Sequence, residues 1–164
     1  MRIAVSGSHC SGKSTLIEDF LAVHRDYEHE PEPYELLELY GEAPGDEPAA
    51  EDFHRQLELS VETFRRYAPG ARVIVERSPL DFAAYLLALG EMIELPVSAM
   101  EHIDLLVVLP LDGTIDAPEA EDPELREAMN DRLLELVEQC DVRVVEVQGT
   151  RRERLAALER SLTR

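Results

Sequence analysis

Residues 7–15 read GSHCSGKST, and Lys13 in that stretch is the only lysine in a chain of 164 residues with 16 basic side chains. Every other cation is an arginine, so this position demands a compact ammonium. Gly7, Gly12, Lys13 and Ser14 fall at the spacing G-x-x-x-x-G-K-[ST] of a phosphate-binding loop. The flanking residues have the order such a loop needs. Ile3 to Val5 is a short β-prone run, and Leu16, Ile17, Phe20, Leu21 and Val23 predict a helix from Lys13 to about His24. Backbone N–H groups at a helix N-terminus face an anion that the helix dipole also attracts. The expected cradle comprises Gly7, Ser8, Ser11, Gly12, Lys13, Ser14 and Thr15. Lys13 would sit on the β- and γ-phosphates of ATP, and Ser14 would ligate Mg²⁺. An arginine's rigid fork fits so narrow a loop poorly. His9 and Cys10, inside the loop, have no further His or Cys at ligand spacing and read as spacers.

The formal charge is −19, with acids spread along the whole chain. Such a surface repels nucleic-acid backbones and anionic lipid, so neither is an expected partner. It also repels a triphosphate, so an anion site must be built locally. An acid-rich, lysine-poor surface also suits a salty cytoplasm. Cys10 and Cys140 give no disulfide framework. The N-terminus carries no secretory pattern, and no apolar run approaches the roughly 20 residues of a membrane span. These features predict one cytoplasmic domain over residues 1–164, monomeric or homodimeric.

Apolar runs alternate with helical patterns. A weak strand is expected over Tyr27 to Glu30, ended by Pro31 and Pro33, and residues 41–52 read as a mobile, substrate-side loop. Phe53, Leu57, Val61 and Phe64 mark an amphipathic helix stopped at Pro69-Gly70. Val73-Ile74-Val75 is a buried strand, and Ser78-Pro79-Leu80-Asp81 starts a helix that runs to Gly90. A strand at Leu105 to Leu109 follows. Asp122-Pro123 opens a helix carrying Leu125, Met129, Leu133 and Leu136, and a last strand, Val142 to Val147, precedes the final helix. Five strands separated by helices predict a three-layer α/β/α domain with a parallel sheet.

A GTPase would need an Asn-Lys-x-Asp motif and hence a second lysine. A motor ATPase would carry a strand ending in Asp-Glu, whereas this one ends VIVE before Arg77-Ser78-Pro79. Glu76, at the C-terminal end of a parallel strand, points into the crevice where such sheets bind ligands. There it can hold Mg²⁺ through water, while Arg77 neutralises a phosphate in transit.

Together GSHCSGKST, HEPEPYELL, Gln56 on a helix and VIVERSPLDFAAYL resemble the deoxynucleoside kinases and the nicotinamide-riboside-kinase type of P-loop kinase. The resemblance implies MgATP as donor and a nucleoside, nucleotide or nucleoside-like small molecule as acceptor. It implies Glu76 as the metal-side acid, Arg77 as a phosphate contact, and Glu32 or Glu30 as the base that accepts the acceptor's proton. The prolines would hold that acidic segment extended. Gln56 would hydrogen-bond the substrate, although an ordinary exposed helix residue needs no such role. A lid over residues 111–126 would supply Arg126, with Arg132 on a different face. Gly149 and Thr150 would lie against the nucleobase edge, with Arg151 or Arg154 stacking or capping. The lid is acidic and poor in arginine, which favours a competing class: a slow ATPase or an ATP-dependent regulatory module.

Overall fold

In a computed structural model, which describes residues 1–41, 49–111 and 122–162, five strands form one parallel sheet. They are β1 (Arg2–Ser6), β2 (Glu28–Glu30), β3 (Val73–Glu76), β4 (Leu105–Val108) and β5 (Val144–Glu146). Their order is β2-β3-β1-β4-β5, so β1 sits at the centre with β3 and β4 on either side. The register pairs Val5 with Glu76 and Ser6 with Val108, which brings the loop after β1 level with the ends of both neighbours.

Alternate strand residues face opposite ways, and the core divides accordingly. Ala4, Val73, Val75, Leu106 and Val108 pack under one helical layer. Ile3, Val5, Ile74, Leu105 and Val107 pack under the other. The second layer is α1 (Lys13–Val23) with the C-terminal helix, α7 (Arg151–Leu162). The first contains α3 (Ala50–Arg66), α4 (Pro79–Ala88), α5 (Val97–Met100) and α6 (Pro123–Val137), and α2 (Pro33–Tyr40) lies beside α3. The expected three-layer α/β/α architecture is the one observed. Helix α4 is buried from Pro79 through Leu86 between α3 and α6, as a helix apolar but for Asp81 should be.

Three expectations need revision. The Pro31 and Pro33 punctuation does not leave the acidic segment wholly extended. Glu32 is extended (φ −67°, ψ 152°), and Pro33 then opens α2 at its first position, where its missing N–H costs nothing. The 41–52 loop is shorter than expected, because Ala50 to Asp52 are helical and the Asp52 carboxylate caps the turn through the Ala49 amide at 2.8 Å; residues 42–48 lie outside the described residues. Of the 111–126 lid, residues 112–121 likewise lie outside, and Pro123 to Arg126 form the first turn of α6. Strand β5 is shorter than Val142 to Val147, and α5 gave no signal in the sequence.

Glu18, Glu51, Glu58, Glu62, Glu124, Glu127, Asp131 and Glu135 all lie on exposed helix faces, so like charges crowd the surface. Raising KCl from about 0.1 M to about 1 M shortens the screening length from about 10 to about 3 Å. The melting temperature is expected to rise with that change, measured by differential scanning calorimetry. A flat or falling melting curve would contradict the role given to self-repulsion.

Candidate active site

The loop between β1 and α1 is shaped by its glycines. Gly7 has φ 154°, and a Cβ there would meet Ser11 Oγ at 2.6 Å and the Leu109 carbonyl at 2.7 Å. Gly12 (φ 92°) caps α1 in the left-handed region. Two hydroxyls of the loop, Ser8 Oγ and Ser11 Oγ, are buried without a hydrogen-bond partner. Buried hydroxyls ordinarily have partners, and a phosphate's oxygens would supply them. Lys13 is 4% exposed and its Nζ donates to the Ser8 carbonyl at 2.9 Å. Burial, then the nearby Arg77 charge, lowers its pKa from 10.5 to about 8, although Asp81, Glu76 and Glu32 oppose the shift. The cradle therefore holds an ammonium short of counter-charge.

Two carboxylates face this loop from different elements. Ser14 Oγ donates to Glu76 Oε1 at 2.9 Å, bringing together the two oxygen ligands expected for Mg²⁺. Among the described residues no group of three or more His, Cys, Asp or Glu gathers to hold a metal by itself. Mg²⁺ takes one or two protein oxygens and completes its shell with water and phosphate. Away from Ser14, Arg77 Nε donates to Glu32 Oε2 at 2.6 Å, and Arg77 Nη1 reaches the Gly7 carbonyl at 3.3 Å. Burial pushes the Glu32 carboxyl up, but the Arg77 charge and hydrogen bond, helped by Lys13, hold it below the usual range.

Arg77 itself is 6% exposed and has φ 68°, a conformation costing an arginine about 1–2 kcal/mol. Its N–H donates to the Val5 carbonyl at 2.9 Å, and its guanidinium lies 5.6 Å from the Tyr85 ring centroid. Tyr85 stacks on Phe53 at 4.5 Å. Gln56 lies one turn beyond Phe53 on α3 and is 6% exposed, so the expectation of an ordinary exposed residue was wrong. Its position beside Phe53 puts it on the face that meets α4.

Glu30 is turned elsewhere: its carboxylate accepts from Arg66 and from the Tyr67 hydroxyl, each at 2.6 Å. Arg126 does not project into solvent; its Nε donates to the His9 carbonyl at 3.0 Å and its Nη2 to the Cys10 carbonyl at 3.4 Å. Arg132 is exposed and pairs with Glu135 at 2.8 Å, on another face as expected. A cleft of about 320 Å³ opens beside the loop, lined by Gly12, Thr15, Leu16, Asp19, Gly149, Arg151 and Arg154. Thr150 is a helix cap: its amide and hydroxyl donate to Glu153 at 2.8 and 2.7 Å. Arg151 closes a bidentate pair with Asp19 at 2.6 and 3.0 Å.

Asp81 has a larger part than its sequence signal implied. The carboxylate is fully buried and accepts from the Gly7 amide at 2.9 Å, the Ser78 amide at 2.8 Å and the Ser78 hydroxyl at 3.0 Å. Sequence reading found the cap but not the tie to Gly7, which spans 74 positions. Burial and the charges of Glu32 and Glu76 raise the Glu35 pKa.

The chain belongs to the AAA domain family, whose model matches residues 2–154. No curated protein matches it. Its fold is similar to that of deoxyadenosine kinase from M. mycoides with bound dATP, at TM-score 0.69 and 14% identity over 100% of both chains. It is similar to thymidylate kinase from Ehrlichia chaffeensis at TM-score 0.65 and 14% identity, over 100% of this chain and 98% of that one. It also matches NadR protein in complex with NR at TM-score 0.68 and 18% identity, over 97% of this chain but 50% of NadR. These likenesses establish a P-loop kinase fold.

A bound polyphosphate supplies the counter-charge that Lys13 lacks and raises its pKa, so binding above the free-state value takes up a proton. Polyphosphate affinity is expected to be flat below about pH 7. It should then fall as pH rises through about 8, by up to tenfold per unit. Calorimetric titrations in buffers of different ionisation heat would show net proton uptake near pH 8.5; its absence would contradict the assignment of the loop ammonium.

Proposed function

We propose that this AAA domain protein is a small-molecule kinase that transfers the γ-phosphoryl of MgATP to a hydroxyl of a nucleoside, nucleotide or nucleoside-like metabolite. The observation that carries the reading is the separation of two acids across one phosphate loop. Glu76 is hydrogen-bonded to Ser14 on the metal side, and Glu32 is held by Arg77 on the other. An ATPase that only positions water has no need of the second arrangement.

In this reading the loop amides and Lys13 hold the donor's phosphates, and Arg77 stabilises charge on the phosphoryl group as it moves. The acceptor oxygen bonds to the γ-phosphorus while the bond from that phosphorus to the β–γ bridging oxygen breaks, and its electron pair leaves with ADP. The acceptor's proton passes to the Glu32 carboxylate. Mg²⁺, held through Ser14 Oγ and Glu76, would neutralise charge on the leaving diphosphate. Glu32 is ionised at neutral pH and weakly basic, so it orients the hydroxyl first and takes the proton late. Such an acid suffices for a loose phosphoryl-transfer transition state, in which positioning and charge stabilisation dominate. Tyr85 beside Arg77, Phe53 stacked on it and the buried Gln56 one turn along α3 would bind the acceptor's ring. Gly149 and the cleft beside Gly12 would take the donor's base, and the protein is assigned to the cytoplasm.

ADP release measured across a panel of nucleosides and nucleoside-like metabolites is expected to rise with particular acceptors. An unvarying slow rate with every compound would make the protein an ATPase or regulatory module instead. Glu76→Gln is expected to lower kcat by about 10²-fold or more, with the melting temperature within a few degrees of wild type. Glu32→Gln is expected to lower kcat by about 10²-fold with KM for ATP within about threefold; normal turnover would remove Glu32 from the reaction.

A further inference from the structure

We propose that Arg154 is a positioning residue that aims the phosphate loop from outside, an inference that rests on the nucleotide-binding reading above. Five consecutive loop carbonyls accept from cationic side chains. The Gly7 oxygen accepts from Arg77 at 3.3 Å and the Ser8 oxygen from Lys13 at 2.9 Å. The His9 and Cys10 oxygens accept from Arg126 at 3.0 and 3.4 Å, and the Ser11 oxygen from Arg154 Nη1 at 2.9 Å. The cations come from four different places: the end of β3, the start of α1, α6 and α7.

A trans peptide is planar, so its N–H points opposite to its C=O. No cis peptide occurs among the described residues. Fixing a carbonyl therefore fixes the direction of the next residue's N–H. Lys13 and Arg77 lie on the phosphate side in the reading above, whereas Arg126 and Arg154 reach the loop from α6 and α7, Arg126 setting the Cys10 and Ser11 amides and Arg154 the Gly12 amide. A short loop with a left-handed Cys10 (φ 52°) and two glycines has alternative peptide orientations available, and a reversed plane would turn an oxygen toward the phosphates. Preorganised donors stabilise charge because they need not reorient when it arrives.

Arg154 fits this role best. It is 7% exposed, lies 143 positions from Ser11, and its Nε donates to the Gly149 carbonyl at 2.8 Å. One rigid guanidinium thus joins the last loop peptide before α1 to the wall of the cleft. A lysine could supply the charge but not both hydrogen bonds in one plane. The geometry assigns Arg154 to the phosphate cradle rather than to stacking on a base.

The test is calorimetric binding of inorganic tripolyphosphate and of ATP, each without and with added KCl, to wild type, Arg154→Ala and Arg154→Lys. Both variants are expected to bind both compounds about tenfold more weakly, with the same loss for each. Arg154→Lys should keep the wild-type salt dependence and melt within a few degrees of wild type. Should Arg154→Ala fail to fold, Arg154→Lys carries the test alone. A loss confined to ATP would assign Arg154 to the nucleobase and overturn the proposal. Wild-type affinity in Arg154→Lys would reduce the residue to a charge and overturn it equally. Wild-type protein that binds neither compound would overturn the nucleotide-binding reading itself, and this inference with it.

Discussion

Asp81 has no exposure to solvent, and one of its carboxylate oxygens accepts from the Gly7 amide while the other accepts from Ser78. A buried carboxylate costs several kcal/mol unless hydrogen bonds and counter-charge compensate it. Here the two backbone amides, the Ser78 hydroxyl, and Arg77 at 3.8 Å do so. The same contacts tie the first glycine of the phosphate loop to the first turn of α4, the most deeply buried helix. They also fix where β3 ends, so Glu76 and Arg77 leave the strand at a set height beside the loop. Ser6 Oγ, which donates to Ser78 Oγ at 2.8 Å, brings the end of β1 into the same network. The loop, Glu76 and Arg77 are therefore held in one frame.

That frame solves a problem created by the composition. A molecule of formal charge −19 repels the anions its loop is built to bind. Exposed cations could not offset this locally without pairing with the abundant acids, as Arg132 does with Glu135 and Arg151 with Asp19. Lys13, Arg77, Arg126 and Arg154 are instead buried around the loop, each 9% exposed or less, and all four donate to its carbonyls, Arg77 while also paired with Glu32. Burial makes their fields stronger than in water, at the cost visible in the depressed Lys13 pKa. Burial thus leaves the Lys13 ammonium short of counter-charge, which a phosphate group would supply.

What could be read from the sequence follows from how local each signal is. The glycine loop, the strands at Ile3, Val73 and Leu105, and the Ser78 cap are set by near neighbours and stood as expected. Helix α2 was missed although Glu32-Pro33 carries the same cap-then-proline pattern used correctly at Ser78-Pro79 and Asp122-Pro123. Two prolines in three residues looked like punctuation, when the second was a start. Gln56 was misjudged because burial of α3 depends on α4, which contacts it from a distant part of the chain. The reach of Asp81 to Gly7 and of Arg154 to Ser11 spans 74 and 143 positions and leaves no trace in local spacing. Glu30 and Glu32 are equivalent in the sequence, and only the fold turns one toward Tyr67 and the other toward Arg77.

The divergence of those two glutamates bears on the chemistry. Residues two apart on an extended segment face opposite ways only when the strand ends between them, and β2 ends at Glu30. Glu30 stays with the sheet edge and α3, where Arg66 and Tyr67 occupy it. Glu32, one proline later, becomes the cap of α2 and meets Arg77 instead. The strained φ of Arg77 then acquires a reason: the left-handed turn swings its side chain back over the loop, where one guanidinium reaches both the Gly7 carbonyl and the Glu32 carboxylate. On the proposed reading, an arginine bonded at once to the phosphate loop and to the acceptor-side acid would tie the positions of donor and acceptor together. For such a transfer, whose barrier is lowered mainly by alignment, that linkage would matter more than the basicity of Glu32.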